Sequence, residues 1–143
     1  MIKIMNFVAR VFNKEVEKVY ALDVRQSFLD YIDKKTKKEG VDNIETILIK
    51  DKILLPEKVD SIFLRNVYYC LEKENRIKYF KELKKYLKKN GKLVIVEYEK
   101  TKTLIHGTKK QIILDELGKA GYKILINYGF LPKQNFLVFG KVE

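Results

Sequence analysis

Residues 19–24 read VYALDV, and this stretch decides the fold of the chain. Its first four residues form a continuously apolar run, which is typical of a strand buried on both faces of a parallel sheet. Asp23 ends the run. A carboxylate at the carboxyl end of a parallel strand can accept two hydrogen bonds from a vicinal diol, and open α/β sheets bind ligands at that edge. The stretch therefore predicts an α/β fold with a ligand site at Asp23.

Helical and strand periodicities alternate along the rest of the chain, which favours a mostly parallel sheet covered by helices. No helical pattern separates the last two strands, so we expect them to pair antiparallel as a C-terminal hairpin. The sequence predicts helices at 6–17, from Ser27 towards Gly40, at 74–89 and at about 110–119, with strands at 19–22, 44–49, 59–64, 93–96, 122–128 and 135–142.

Several positions are expected to fix the ends and the inner faces of these helices. Ser27 and Thr108 are predicted to cap helices through their hydroxyls, and Asn90-Gly91 is predicted to end the helix at 74–89. The residues expected to face inward are Phe28, Tyr31, Ile32, Ile77, Phe80, Leu83, Leu87, Ile112, Ile113 and Leu117.

Length and composition predict one globular domain over 1–143. No apolar run reaches the length of about 18–20 residues that a membrane span needs, and the N-terminus lacks the pattern of a signal peptide. Cys70 is the single cysteine, which excludes an internal disulfide and a cysteine-based zinc cluster. We expect Cys70 to be buried and the protein to be cytoplasmic.

The net charge of +11 permits two interpretations. One is a nucleic-acid or anionic-substrate partner. The other is solubility, because the basic residues are nearly all lysine, and lysine and glutamate enrichment is typical of hyperthermophile proteins. The second is favoured, since the lysine runs at 34–38, 84–89 and 109–110 are predicted to lie on polar helix faces.

The segment VYALDV resembles the second strand of class I S-adenosylmethionine-dependent methyltransferases, in which a terminal acid binds the ribose hydroxyls of the cofactor. Asp23 matches that acid. NIETILIKDKILLP, residues 43–56, is similar to the third strand and its loop. There the resemblance places Asp51 at the adenine amino group, and Val24 and Lys52 as neighbours that flank the adenine ring.

Four later segments continue the resemblance in order: VDSIFLRNVYYCL, KELKKYLKKNGKLVIVEYE, IHGTKKQIILDELGKAGYKI and FLPKQNFLVF. The first looks like the fourth strand and its exit, where Asn66 would face the cofactor and Arg65 and Tyr69 the substrate. His106, the only histidine, occupies the loop before the last helix, near the substrate in relatives. The last segment resembles the closing hairpin of small-molecule methyltransferases of the ubiquinone/menaquinone-biosynthesis type.

The resemblance implies a Rossmann-like methyltransferase sheet, S-adenosylmethionine as cofactor and a small-molecule methyl acceptor. It implies no metal, and no catalytic base stands out. The family's loop D/E-x-G-x-G-x-G has no counterpart, since the first glycine is Gly40. Either the first strand is missing, or Met1–Ile4 is a shortened first strand with its loop deleted. Cofactor binding is therefore conditional on a compensated site.

Two other functions stay open at this point. A degenerate relative could act as a non-catalytic binding or dimerisation module, because an incomplete sheet favours pairing with a second copy into a homodimer. A basic module could instead bind nucleic acid in a manner that weakens steeply with salt.

Overall fold

The computed structural model describes residues 17–143, so the candidate strand Met1–Ile4 and all but the last residue of the predicted helix at 6–17 lie outside the described residues. The chain divides into two compact units, one ending at Leu55 and the other spanning Pro56–Glu143.

The described part of the first unit is one strand–helix–strand motif. Strand β1 (Val19–Asp23) is followed by helix α1 (Gln26–Glu39) and strand β2 (Ile44–Leu48). The two strands pair in parallel, and Asp23 lies opposite Leu48 at their carboxyl ends. The predicted parallel arrangement of these strands is confirmed.

Helix α1 begins two residues earlier than a cap at Ser27 would allow. Arg25 is the N-cap residue and makes no side-chain cap hydrogen bond, so the prediction that Ser27 caps the helix is wrong. Leu29 is buried on the inner face, whereas Tyr31, predicted to face inward, is 48% exposed. Gly40 ends the helix as predicted, with a φ of 68°, a left-handed conformation that glycine adopts without steric cost.

The second unit is a four-stranded mixed sheet with two helices. Its elements are β3 (Val59–Arg65), α2 (Arg76–Lys84), β4 (Leu87–Tyr98), α3 (Lys110–Lys119), β5 (Tyr122–Tyr128) and β6 (Gln134–Lys141). The strand order is β3-β4-β6-β5, with β3 and β4 parallel and the other two pairs antiparallel. The predicted C-terminal hairpin is confirmed.

The largest difference from prediction concerns residues 74–89. Helix α2 ends at Lys84, and β4 begins at Leu87 and continues through Asn90-Gly91, where its pairing with β3 shifts register. Leu87 is fully buried through its pairing with Val59 rather than on a helix face. The apolar spacing of three and four residues fits a helix, but sheet pairing captures the last residues, and the lysines there lie on a strand.

The core of the second unit lies between the sheet and its helices. Ile113 and Leu117 are buried as predicted, whereas Ile112 is 36% exposed. The other hydrophobic residues of this unit that are at most 3% exposed are Tyr68, Phe80, Leu83, Leu87, Leu93, Ile95, Val96, Ala120, Tyr122, Leu137 and Phe139.

Two further predictions are wrong. Thr108 does not cap α3, because the N-cap residue is Lys109 and the Glu99 carboxylate accepts the hydrogen bond from the backbone N–H of Lys110. Cys70 is exposed rather than buried. None of the helices in residues 17–143 is long and apolar enough to cross a membrane.

Candidate functional site

Asp23 lies at the carboxyl end of β1, where its carboxylate is already ordered by Arg25. The guanidinium Nε lies 3.0 Å from Oδ1 and Nη2 lies 3.1 Å from Oδ2, and the Arg25 backbone N–H donates to Oδ1 at 2.9 Å. These bonds to Arg25 hold the pKa of Asp23 below its ordinary value, although partial burial opposes them. Asp23 is therefore a fixed anion at the predicted ligand edge.

A ribose diol can still be accommodated at Asp23. A carboxylate offers about four acceptor positions, of which Arg25 takes three. The Arg25 side chain is 57% exposed, so its pair with Asp23 is a weak surface ion pair, although the guanidinium also lies 4.7 Å from the centre of the Phe28 ring. The residue fits the role that the resemblance implies, with Arg25 as a competitor for the same oxygens.

Val24, Asp51 and Lys52 lie at the same edge of the two-stranded sheet as Asp23. Val24 is 67% exposed directly after β1, and Asp51 and Lys52 are exposed in the bend after β2. The backbone N–H of Ile49 donates to the Asp23 carbonyl at 2.9 Å, which ties the two strand ends together. Four of the five predicted cofactor residues thus lie at the ends of β1 and β2 or in the segments that follow them, and the fifth, Asn66, belongs to the second unit.

In the second unit, buried polar atoms without partners gather at the carboxyl ends of β3 and β4. Arg65 ends β3 opposite Val96, and Asn66 follows with its N–H donating to the Val96 carbonyl at 2.8 Å. Arg65 Nε and Asn66 Oδ1 are buried and have no hydrogen-bond partner among the described residues. Asn66 also has a φ of 52°, a left-handed backbone conformation that is concentrated at functional sites.

Glu97, next to Val96 on β4, is a functional candidate that the sequence reasoning missed. It is fully buried, its Oε2 accepts the backbone N–H of Tyr69 at 3.3 Å, and its Oε1 has no partner in the described chain. Burial raises the pKa of Glu97 to about 7, against the amides of Tyr69 and Tyr68 and the charge of Arg76. The available signal was a carboxylate inside the apolar run LVIVEY.

Tyr69 and His106 were predicted separately as substrate residues, and the structure brings their rings together. Tyr69 lies in the 3₁₀ turn Tyr68–Cys70 after β3, and His106 lies in the loop between β4 and α3. Their ring centroids are 5.8 Å apart with planes tilted by 58°, and both side chains reach the surface. The two form one aromatic and hydrogen-bonding rim.

A buried ion pair supports the turn that carries Tyr69. Glu116 of α3 accepts hydrogen bonds from the Tyr68 hydroxyl at 2.6 Å and from Arg76 Nη2 of α2 at 2.9 Å. The Arg76 guanidinium lies 5.1 Å from the centre of the Tyr68 ring. The Tyr68 ring also stacks on the ring of Phe80. Burial and the bond to Glu116 raise the pKa of Tyr68 far above its ordinary value, so it stays a neutral donor.

The loop after β4 forms an open depression of about 540 Å³, lined by Lys100, Thr101, Lys102, Ile105 and Lys109. It lies next in sequence to His106. Across residues 17–143, no group of three or more His, Cys, Asp and Glu side chains is arranged to hold a metal ion.

Comparison with known proteins decides the family. Residues 6–95 match the family model described as "Methyltransferase domain". The chain belongs to the methyltransferase-domain family. No curated protein matches its sequence. The resemblance stated from the sequence is therefore confirmed at the level of the family.

Solved methyltransferases share the fold. A SAM-dependent methyltransferase from Aquifex aeolicus is 26% identical with a TM-score of 0.75, over 88% of this chain and 69% of that one. An O-methyltransferase from neocarzinostatin biosynthesis, solved with S-adenosyl-L-homocysteine and 1,4-dihydroxy-2-naphthoic acid, has a TM-score of 0.80 at 9% identity. It matches 97% of this chain, which spans 46% of its length.

These likenesses confirm the Rossmann-like α/β methyltransferase fold with its antiparallel C-terminal strands. The family match and the SAM-dependent enzyme from Aquifex aeolicus also support S-adenosylmethionine as the cofactor of this family, as the resemblance implied. The nucleic-acid and non-catalytic interpretations gain no support from them.

Proposed function

We propose that this chain binds S-adenosylmethionine and directs its methyl group to a small-molecule acceptor. The observation that carries the proposal is the group of buried, unpartnered polar atoms at the carboxyl ends of β3 and β4, on Arg65, Asn66 and Glu97. Buried polar groups in native proteins are almost always hydrogen-bonded, so unpartnered ones at one sheet edge indicate a bound ligand. In open α/β sheets the ligand binds at that edge.

On the cofactor side, Asp23 would accept the ribose hydroxyls and Asp51 the adenine amino group. Val24 and Lys52 would flank the adenine ring. In the second unit, the resemblance implies a cofactor role for Asn66, whose amide oxygen has no partner among the described residues and can accept from a ligand donor. The geometry supports these roles through the ordered Asp23 carboxylate and the unpartnered Asn66 oxygen. These 143 residues contain no glycine-rich loop before β1. Because that loop contacts the cofactor in the family, the affinity for S-adenosylmethionine is the quantity to measure.

On the acceptor side, Arg65, Tyr69 and His106 would contact the substrate. The sulfonium of the cofactor supplies an activated methyl group and a good leaving group, so the residues mainly align the acceptor atom. Where the acceptor must lose a proton, the His106 imidazole can take it, since histidine is the commonest general base. Tyr69 beside it offers a hydroxyl and a ring face to an aromatic or polar acceptor.

We further propose a cytoplasmic homodimer. The single cysteine of this chain is an exposed free thiol, which is typical of a reducing compartment. Strand β5 is an edge strand of its sheet and exposes Ile124, Leu125 and Ile126 by 42–43% each. Light scattering that shows a monomer at micromolar concentration would remove the dimer from the proposal.

The decisive test of binding is calorimetry with S-adenosylmethionine on the wild type, Asp23→Asn and Asp42→Asn. Asp42 is exposed in the same unit and serves as the matched control. We expect binding by the wild type and Asp42→Asn, and a loss of about tenfold or more for Asp23→Asn, because a bidentate acceptor is lost. No heat and no thermal shift with the wild type at saturating ligand would overturn the cofactor proposal.

A further inference from the structure

Glu97 occupies a position where a carboxyl group is costly. It lies one residue before the end of β4 and is fully buried, on the same strand as the buried Ile95 and Val96. Burying a carboxyl group without full hydrogen bonding destabilises a fold, and an apolar residue of similar size would often serve better there. A residue at such a position is expected to do something that an apolar side chain cannot.

The contacts of Glu97 indicate what that is. Its Oε2 accepts the backbone N–H of Tyr69 at 3.3 Å, across 28 positions of sequence. The 3₁₀ turn Tyr68–Cys70 has no side-chain cap of its own at Val67. The carboxyl of Glu97 therefore fixes the backbone of the turn from the neighbouring strand.

The position of this turn determines where the Tyr69 ring lies. Tyr68 is held on one side of the turn by Glu116, so the hydrogen bond to Glu97 fixes the next residue. The Tyr69 ring then packs 5.8 Å from His106. The loop that carries His106 is held against β4, because the backbone N–H of Thr108 donates to the Tyr98 carbonyl at 2.9 Å and Gly107 lies too close to that carbonyl for a side chain.

We infer that Glu97 is a positioning residue for the acceptor side of the site: its buried carboxyl holds the turn at Tyr69 and thereby places the Tyr69 ring against His106. The effect of this positioning on acceptor binding rests on the proposed function, but the geometry itself can be tested without cofactor or acceptor. It differs from a purely structural role because it controls one ring pair at the surface rather than the stability of the core.

The single histidine makes the test specific, because its Cε1 proton gives one resolved NMR resonance. The Tyr69→Leu variant defines the chemical shift of His106 without the neighbouring ring. We expect Glu97→Leu to move the His106 resonance towards that reference. Glu97→Gln, whose amide oxygen can still accept the Tyr69 N–H, is expected to restore the wild-type shift. Glu82→Leu, at an exposed position of α2, is the matched control and should leave the resonance unchanged.

A folded Glu97→Leu protein with the wild-type His106 shift would overturn the inference. If that variant does not fold, the Tyr69 amide resonance decides instead. Ionisation of Glu97 near pH 7 should move this resonance, and the movement should disappear in Glu97→Gln. The other ionisable groups around Glu97 are Tyr68 and Tyr69 on the turn, Arg76 on α2 and, through Arg76, Glu116 on α3. A Tyr69 amide that titrates identically in the wild type and Glu97→Gln would equally overturn the inference.

These measurements use the free protein, so their failure is distinguishable from failure of the proposed function. Loss of S-adenosylmethionine binding would leave the Glu97–Tyr69–His106 geometry standing. Conversely, an unmoved His106 resonance would leave cofactor binding by the chain unaffected.

Discussion

Replacing Glu116 by glutamine should destabilise the protein far more than the loss of one surface charge would. The Glu116 carboxylate accepts from both Tyr68 and Arg76, one donor on each oxygen. Glutamine retains one acceptor oxygen and turns an N–H₂ group towards the other donor. The Arg76 charge then stays buried with no carboxylate bonded to it, and Arg76 Nε already has no partner among the described residues.

The structure allows the magnitude of this effect to be worked out. A hydrogen bond to a charged group contributes about 1.5–3 kcal/mol, and removing one partner of a buried ion pair costs about 3–5 kcal/mol. The side chains of Arg76 and Glu116 keep 9% and 14% exposure, which places the cost at the low end of that range. We therefore expect a loss of about 3 kcal/mol, or roughly a hundredfold in the unfolding equilibrium constant.

Urea denaturation followed by circular dichroism measures this loss for Glu116→Gln at pH 7. Glu82→Gln is the control, since Glu82 pairs with Lys85 where both side chains are more than half exposed, and such pairs contribute at most about 1 kcal/mol. A loss below about 1 kcal/mol in Glu116→Gln, similar to that of the control, would show that the Arg76–Glu116 pair does not behave as a buried ion pair.

Three other predictions concern stability. The pKa of Glu97 is raised from 4.5 to about 7, so the folded state binds this proton more tightly than the unfolded state. The favourable contribution of protonated Glu97 to the free energy of unfolding is complete below pH 4.5 and is lost as the pH rises to 7. Relative to wild type, Glu97→Gln should therefore gain about 3 kcal/mol between pH 4.5 and 8, and equal pH profiles for the two proteins would contradict this. Gly107→Ala should cost about 2 kcal/mol in the same urea assay, because its Cβ would meet the Tyr98 carbonyl oxygen at 2.3 Å. Gly118→Ala in α3, where nothing lies within 4 Å, should gain about 0.5–1 kcal/mol, and the reverse order of the two variants would show that the loop is not closely packed.

The sequence predicted the elements that local pattern and turn chemistry determine. The apolar run before Asp23, the glycine at the end of α1 and the unseparated final strands each specify their structure within a few residues. It failed where sheet pairing outweighs local pattern. Leu87 has helical spacing from Leu83, but it pairs with Val59, and that partner is 28 positions away.

For the candidate site, the family motifs in the sequence predicted individual residues but not the contacts between them. Asp23, Asn66, Tyr69 and His106 could each be singled out, but their contacts depend on long-range placement. The hydrogen bond from the Tyr69 N–H to Glu97 joins residues that are 28 positions apart. Glu99 accepts from the first N–H of α3 without belonging to a sequence motif that predicts a helix cap. Arg25 was missed as a partner of Asp23 because its position in a turn, rather than its spacing, aims the guanidinium back at the carboxylate.

The proposed function requires that this chain binds S-adenosylmethionine, with Asp23 at the carboxyl end of β1 as a ligand of the cofactor. The most direct test is titration of the ¹⁵N-labelled protein with S-adenosyl-L-homocysteine, followed by amide NMR spectra. We expect saturable shifts at Asp23 and Val24, with little change along the edge strand β5. Spectra that stay unchanged at saturating ligand, or shifts confined to the β5–β6 hairpin, would contradict this expectation.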